Sequence, residues 1–370
     1  MVIYIILVIL SVFFTWLQQV RVLKNGMKLS FFLVFLFLAL RHDYGNDYSG
    51  YFINFLELET LQDDDFYIKA NEVGWLYLNY FFKYLFGGVG FHLMVACMAG
   101  FICFILYRFT TKYIPSKYYT FAVTLLLLEP NNILVLSSAM RQSLAVSIFL
   151  VSFDFLLQKR YLLYIVGIFL ASLFHATALY FVVLILLNVF NWRIYLQYVL
   201  IILFGLVYLL NSLNLIFDLA NDLSEYQDSI YSTYTDADKD FSKYGIGYAL
   251  IVFFYLSMLI INRNAYKYSP ERNTIVKVII VMLFLSVAGI ANTMISRLGF
   301  YLFPIVVIAY SLTLERLDSF KLSSYSFFSK ISIYIILAFF AFQNYGFWKS
   351  AVYSPYFTEY KTIFQSPLLK

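Results

Sequence analysis

Side chains suited to binding an anion and moving a proton occur at three places in an otherwise apolar chain. The stretch RHDYGNDYSGY, residues 41–51, carries Arg41 and Asp47 directly behind the apolar run FFLVFLFLAL. Arg141 opens a second apolar segment, and His175 lies within a third. Guanidinium groups donate paired, charge-assisted hydrogen bonds to phosphates, and histidine or carboxylate side chains act as general bases. These residue types predict a site that binds a phosphorylated group and assists proton transfer.

The composition indicates which solvent surrounds these residues. Hydrophobic residues make up 62% of the chain and charged residues 13%, whereas soluble domains contain about 25% charged residues. Apolar runs recur along the whole length, and about 20 such residues cross a bilayer. The first run, MVIYIILVILSVFFTWL, lacks a basic start and a small-residue cleavage site, so we expect a retained span. We therefore predict an all-α, polytopic transmembrane helical bundle that forms a single domain over residues 1–370.

Hydropathy predicts about twelve spans. They are expected at residues 3–20, 29–41, 89–107, 118–135, 141–157, 161–173, 176–190, 194–211, 244–262, 274–291, 298–314 and 331–347. The aromatic stretch 73–86 is typical of a helix at the external interface. The two helices within 161–190 only just cross the hydrocarbon core, so their turn, LFHAT, should lie slightly below the outer surface. Short paired helices are tolerated where they line a cavity, which the outward-facing loops 42–88 and 212–243 would complete.

The distribution of basic residues sets the orientation of the bundle. Lysines and arginines concentrate in alternate loops, among them Lys112, Lys159, Arg160, Arg263 and Arg316. With these loops in the cytoplasm, Arg41, Arg141 and Arg297 all reach the outer leaflet. His175 joins them at the turn of the short helices. The charge distribution thus predicts a multi-pass membrane protein whose candidate site faces outward.

Alternative roles remain open for these residues. An arginine near a helix end can extend to water at little cost, although three arginines in one leaflet with a histidine favour a shared pocket that binds a diphosphate. His175 is the first choice for the base because histidine titrates near neutral pH. His42, Asp43 and Asp47 are alternatives, and Asp47 could instead hold an arginine in place. We expect no cofactor and no metal site, since no ligand cluster or phosphate-binding glycine loop is evident.

Three sequence blocks stand in a fixed order along the chain. They are RHDYGNDYSGY, then SAMRQSLAVSIF from residue 138 onward, then ASLFHATALYF around His175. The first resembles the Arg-x-x-x-Gly-x-Asp-Tyr-x-x-Tyr signature of the EpsG family of Wzy-type bacterial polysaccharide polymerases. The others resemble that family's Arg-Gln block and its Leu-Phe-His turn. Tyr44 and Asn46 depart from the aliphatic residue and the threonine that are usual there, which leaves sugar specificity open.

The resemblance implies an inverting, metal-independent glycosyltransferase. It also implies a location in the bacterial inner (cytoplasmic) membrane, with the active site facing the periplasm or exterior. Such an enzyme moves a growing glycan from undecaprenyl diphosphate onto the next lipid-linked repeat unit, in capsule, O-antigen or exopolysaccharide synthesis. The motifs and the topology together assign catalysis to His175, Arg141 and Asp47, and substrate binding to Arg41, Asp43, Tyr48, Tyr51, Gln142 and Arg297, the last on topology alone. Lipid-linked donor and acceptor and membrane lipid are the expected partners, with a flippase and a chain-length regulator as candidate protein partners; nucleic acid is not expected.

Two other functions remain open at this level. A polysaccharide ligase would transfer finished glycan from the same lipid to a different acceptor. Its site would need nearly the same charges and hydrogen-bonding groups. A flippase for lipid-linked sugar would need charges distributed through a central cavity. The mid-span positions of this chain are nearly free of charge, which disfavours transport.

Overall fold

A computed structural model describes residues 1–59, 72–189, 246–263, 269–289, 293–319, 323–350, 353–366 and 368. The predicted span 194–211 and the predicted external loop 212–243 lie outside these residues. Within the described ranges nearly every element is helical, as the all-α prediction requires. Long runs of Leu, Phe, Ile and Val account for this, because backbone groups in lipid must be satisfied within their own segment.

The α-helices follow the apolar runs closely. They are α1 (Val2–Gln19), α2 (Gly26–Ala39), α3 (Tyr48–Glu57), α4 (Val73–Phe86), α5 (Gly90–Tyr113), α6 (Tyr119–Leu128), α7 (Pro130–Ser137), α8 (Met140–Leu157), α9 (Tyr161–Ser172), α10 (Ile246–Ile261), α11 (Pro270–Ala288), α12 (Thr293–Ser319) and α13 (Ser323–Lys349). Shorter pieces are 3₁₀ helices at Gly87–Val89, Ser116–Tyr118, Ala176–Ile185 and Ile363–Gln365, helical turns at Leu186–Val189 and Ser354–Phe357, and strands β1 (Arg41–His42) and β2 (Lys361–Thr362).

Several helices are long and apolar enough to cross a membrane. Among the described residues there are five: Val2–Gln19, Val73–Tyr113, Met140–Leu157, Ile295–Ser319 and Phe327–Lys349. The pair α6 and α7, bent by 69°, makes a sixth if it counts as one span. The multi-pass prediction therefore stands, but the predicted count of about twelve is not confirmed.

The short helical pair predicted at 161–190 is present, with a difference in its second arm. Helix α9 is followed by a 3₁₀ helix at Ala176–Ile185 in place of an α-helix. A 3₁₀ helix rises about 2.0 Å per residue compared with about 1.5 Å in an α-helix, so a short segment reaches further. The hydroxyl of Tyr164 donates to the carbonyl of Phe181 and ties the two arms together.

The contacts divide the described chain into two compact units. The first comprises Met1–Val183 with Asp318–Lys370, and the second comprises Leu184–Leu317. All three sequence blocks belong to the first unit, whereas Arg297 belongs to the second. Within the first unit, α3, α4, α5 and α8 pack around one apolar core, whose members include Tyr48, Tyr51, Phe55, Trp75, Phe91, Met94 and Met140.

The C-terminal strap, residues 353–366, packs back onto the loop that follows α2. Strands β1 and β2 pair antiparallel, with Arg41 opposite Thr362. The amide of Ile363 donates to the carbonyl of Leu40 at 2.9 Å, and the hydroxyl of Tyr360 donates to the carbonyl of Phe37 at 2.6 Å. The strap thereby fixes the backbone from which the first sequence block starts.

A break between α6 and α7 shapes the other side of this loop. Pro130 lacks an amide proton and disfavours helical geometry at the preceding residue, so Glu129 is extended and the helix ends. The three carbonyls released at 126–128 are each bonded by a side chain: Asn132 to Leu126, Tyr4 to Leu127 and Asn344 to Leu128. Because these carbonyls are hydrogen-bonded, the helix can bend here within an apolar bundle.

Candidate functional site

Glycine at position 45 lets the first sequence block lie flat against the end of α7. Gly45 has φ +110°, and a Cβ atom there would stand 2.5 Å from the carbonyl oxygen of Ser137. Its amide donates to the carbonyl of Tyr356 on the C-terminal strap at 3.1 Å. Two residues later, the Asp47 amide donates to the Ser138 hydroxyl at 3.0 Å. This close approach sets the start of α3, which carries Tyr48 and Tyr51.

The two departures from the family signature have visible structural partners. Tyr44 is fully buried, and its ring packs at about right angles against those of Phe37 and Phe357. Asn46 bridges its neighbours: its side-chain oxygen accepts from the Ser138 hydroxyl at 2.6 Å, and its amide donates to the Asp47 carboxylate at 2.9 Å. Tyr44 thus helps to pack the C-terminal strap against the loop, and Asn46 helps to dock the loop on Ser138.

Arg41 lies beneath this loop with only 4% of its surface exposed. Its Nη1 donates to the carbonyl of Leu38, and its guanidinium lies 6.0 Å from the ring centre of Tyr48. In the described part of the chain, Nε has no hydrogen-bond partner. Arg41 also lines a small cavity, otherwise mostly apolar, with Met98, Met140 and other residues of α5 and α8. Its surroundings are those of a residue that supports the loop from inside.

Arg141 and His175 meet at a carboxylate that the sequence did not single out as a site residue. Glu72 is 1% exposed. Its Oε1 accepts from Nδ1 of His175 at 2.7 Å and from the amide of Ala176 at 3.1 Å. Its Oε2 accepts from Nη1 of Arg141. Together with Tyr51, these residues form what we call the Glu72 cluster: Glu72, Arg141, His175 and Tyr51.

Tyr51 holds the other side of the Arg141 guanidinium. Nε of Arg141 donates to the hydroxyl of Tyr51 at 3.3 Å, and the guanidinium lies 5.7 Å from the centre of that ring. Tyr51 in turn packs edge-on against Trp75 of α4, with ring centres 5.3 Å apart. The last tyrosine of the signature therefore connects the first sequence block to the Arg-Gln block.

Backbone contacts between α4 and the turn after α9 place His175 beside Glu72. The carbonyl of Leu173 accepts from the amides of Gly74 and Trp75 at 2.9 and 3.3 Å. A helix leaves its first amides unsatisfied, and here the turn supplies their acceptor. A Cβ atom on Gly74 would stand 3.0 Å from the Leu173 oxygen, so glycine permits this approach. The third sequence block is thereby docked on the first turn of α4.

The electrostatics of the cluster keep Glu72 charged. Burial alone raises the pKa of this carboxyl, but the hydrogen bond from His175 and the charge of Arg141 outweigh it, so the pKa is lowered. An ionised carboxylate only accepts hydrogen bonds, which matches the three donors around it. The side chains of Arg141 and His175 retain 19% and 14% exposure, so the cluster has an open side.

The remaining predicted site residues lie in different surroundings. Asp43, at φ +50°, forms an exposed ion pair with Lys361 at 3.0 Å. Asp47 lies on the exposed side of the loop, and Gln142 is buried in the first turn of α8. Arg297 lies on α12 in the second unit, and its membership of the same site stays a prediction.

One feature of the sequence could have pointed to Glu72, but the acidic composition around it favours another interpretation. Glu72 belongs to a stretch rich in acidic residues, where a solvated loop is the ordinary interpretation. Yet it directly precedes VGWLYLNY, so it occupies the position before the first turn of an aromatic helix, where acids are favoured. Its partners come from residues far away in the sequence, and only the fold identifies them.

The comparison with known families bears on the same residues. The EpsG family model matches residues 27–360. The chain belongs to the EpsG family. It is therefore a Wzy-type polysaccharide polymerase-like protein of general glycosyltransferase character. No curated protein and no solved structure matches the chain. The match to the EpsG family includes all three sequence blocks and Glu72, whereas β2 lies just beyond its end.

Proposed function

We propose that this EpsG-family protein polymerises lipid-linked oligosaccharide repeat units at the outer leaflet of the bacterial cytoplasmic membrane. The growing glycan leaves undecaprenyl diphosphate and joins a hydroxyl of the next lipid-linked unit. The bond between the anomeric carbon and the diphosphate oxygen breaks, a glycosidic bond forms, and the acceptor hydroxyl loses its proton. The observation that supports this most strongly is the meeting of Arg141 and His175 at one partly open cluster.

Arg141 is the residue assigned to the leaving group. Negative charge develops on the diphosphate as its bond to the anomeric carbon breaks, and a preorganised guanidinium lowers the barrier by stabilising that charge. Arginine does so without a metal, which is why we propose metal-independent transfer. Arg297 is the candidate for a second cation on the diphosphate. The burial of Arg41 favours a supporting role beneath the loop over direct contact with substrate.

His175 is the residue assigned to the acceptor. With Nδ1 bonded to Glu72, its Nε2 is the nitrogen that can take the proton of an acceptor hydroxyl. A base that activates the acceptor for direct displacement leads to inversion at the anomeric carbon. Asp47 is the alternative base, because it lies on the exposed side of the loop that leads into α3. Asp43 and Tyr51 complete the proposed substrate-binding set. The burial of Tyr48 and Gln142 favours the same supporting role as that of Arg41.

The test uses purified protein in detergent or vesicles with lipid-diphosphate repeat units. Wild type should produce a ladder of lengthened products, and Arg141→Ala should not. Arg108→Ala is the matched control, because Arg108 is an exposed arginine of α5 away from the cluster. A ladder from Arg141→Ala equal to that of wild type would refute the assignment. Translocation without elongation would identify a flippase, and transfer only to a different acceptor would identify a ligase.

A second experiment separates the two candidate bases. His175→Ala should slow elongation strongly near neutral pH, whereas Asp47→Ala should leave most of the activity if histidine is the base. General base catalysis contributes about 10²- to 10⁴-fold. Unchanged turnover in His175→Ala would reduce His175 to a packing role.

A further inference from the structure

Glu72 makes contacts that a helix cap does not need. It stands at the N-cap position of α4, where short polar side chains such as Asp commonly accept from the amides of their own helix. The carboxylate of Glu72 makes no such bond. Both oxygens turn away, to His175 and Ala176 on one side and to Arg141 on the other. The amides of Gly74 and Trp75, in the first turn of α4, are bonded to the carbonyl of Leu173.

We propose that Glu72 is a positioning residue that holds the base and the diphosphate-binding cation of this enzyme at a set separation. Oε1 fixes the imidazole of His175, and Oε2 fixes the guanidinium of Arg141. This inference rests on the proposed function, because it assigns a role within the same reaction. It adds a residue that lies outside the three sequence blocks.

The contact with Oε1 selects the tautomer of His175. A carboxylate cannot donate a hydrogen bond, so Nδ1 of His175 carries the proton that lies between them. In the neutral imidazole the other nitrogen, Nε2, then bears the lone pair. The amide of Ala176, bonded to the same oxygen at 3.1 Å, prevents the carboxylate from turning away. Glu72 thus holds the imidazole as a base with its accepting nitrogen directed away from the cluster.

The contact with Oε2 acts on the other end of the reaction. The guanidinium of Arg141 is held between Oε2 and the hydroxyl of Tyr51, which restricts its rotamers before any substrate binds. A preorganised cation loses less freedom when it binds a phosphate oxygen. A buried ion pair of this kind is weak evidence for a purely stabilising role, because apolar replacements are often as stable. One carboxylate that bonds both the base and the cation instead fixes the position of each relative to the other.

The experiment compares Glu72→Gln and Glu72→Asp with wild type in the elongation assay. Glutamine keeps the shape but has an acceptor oxygen at only one of the two carboxylate positions, so its NH₂ group would face either His175 or Arg141, which are both donors. We expect kcat to fall by about 10- to 100-fold, the scale of one charge-assisted hydrogen bond, with a smaller change in KM for the acceptor. Aspartate keeps the charge and should recover part of the loss. Glu57→Gln, at an exposed acid at the end of α3, is the control and should match wild type.

A double-substitution cycle tests whether Glu72 acts through its partner. In a His175→Asn background, Glu72→Gln should reduce kcat by a clearly smaller factor than it does in wild type. The same factor in both backgrounds would overturn the proposal, as would a Glu72→Gln protein with wild-type kcat. If both Glu72 variants lose the thermal transition of the folded protein in detergent, Glu72 serves folding and the proposal is also overturned. A wild-type protein that makes no ladder would instead refute the proposed function itself.

Discussion

Replacing Gly45 by alanine should destabilise the protein more than any ordinary glycine substitution. Two separate costs meet at this residue. Its φ of +110° is one that side-chain-bearing residues rarely adopt, at a cost of about 1–3 kcal/mol. A Cβ atom would also stand 2.5 Å from the Ser137 oxygen, and relieving such overpacking costs about 1–3 kcal/mol more. The expected total is about 2–6 kcal/mol.

Two other glycines supply matched controls for these costs. Gly87 also has a positive φ, +58°, but an added Cβ meets no atom within 4 Å. Gly87→Ala therefore reports the backbone cost alone, about 1–3 kcal/mol. Gly50, within α3, has ordinary φ and open space around it, so Gly50→Ala should stabilise the helix by about 0.5–1 kcal/mol.

The assay is the midpoint of thermal unfolding in detergent, measured at one heating rate for all four proteins. The expected order is Gly50→Ala at or above wild type, then Gly87→Ala, then Gly45→Ala lowest. Gly45→Ala should also elongate poorly, because the start of α3 moves away from Ser138. Equal midpoints for the Gly45 and Gly87 variants would refute the reasoning, since the contact with the Ser137 carbonyl would then cost nothing.

Three further predictions address other contacts. Because the pKa of Glu72 is lowered in the folded state, its contribution to stability is present above the ordinary pKa of glutamate and is lost as pH falls through the lowered pKa. The thermal midpoint of wild type should therefore fall at acidic pH. Glu72→Gln should lack this part of the fall. Lys361→Ala removes only an exposed ion pair, so the free energy of unfolding should change by less than about 1 kcal/mol. Deletion of 361–370 should lower both the thermal midpoint and the rate of elongation. Asn344→Leu leaves the Leu128 carbonyl without its partner and should cost about 1–3 kcal/mol by the same unfolding measurement; an unchanged midpoint would contradict that bond.

Local patterns made much of the helical content predictable. Apolar runs identify α1, α5 and α8 because a membrane leaves the backbone few other options. The short helical pair with its turn at His175 was also predictable, since basic residues flank the segment on both sides, although its second arm is a 3₁₀ helix in place of an α-helix. The number of spans was less accessible, because apolar helices of intermediate length, such as α2 and α9, meet the composition of a span without its full length.

Long-range pairings are what the sequence left hidden. The two-residue strands β1 and β2 are too short for any alternating pattern, and they join residues at opposite ends of the chain. From the sequence, Glu72 is one more acid in a polar loop. Its role is visible only once the turn at His175 packs on α4. The signature assigns Tyr51 to substrate binding, but its contact with Arg141 is visible only in the fold. In each case the meaning of a residue depends on a partner that periodicity does not identify.

The central claim is that Arg141 binds the diphosphate while His175 faces the acceptor. An experimental structure with a non-hydrolysable lipid-diphosphate donor analogue tests it most directly. We predict phosphate oxygens within hydrogen-bond distance of the Arg141 guanidinium, and Nε2 of His175 facing the space where an acceptor sugar would enter. A diphosphate bound away from Arg141, or an Nε2 of His175 that does not face the acceptor space, would contradict the account.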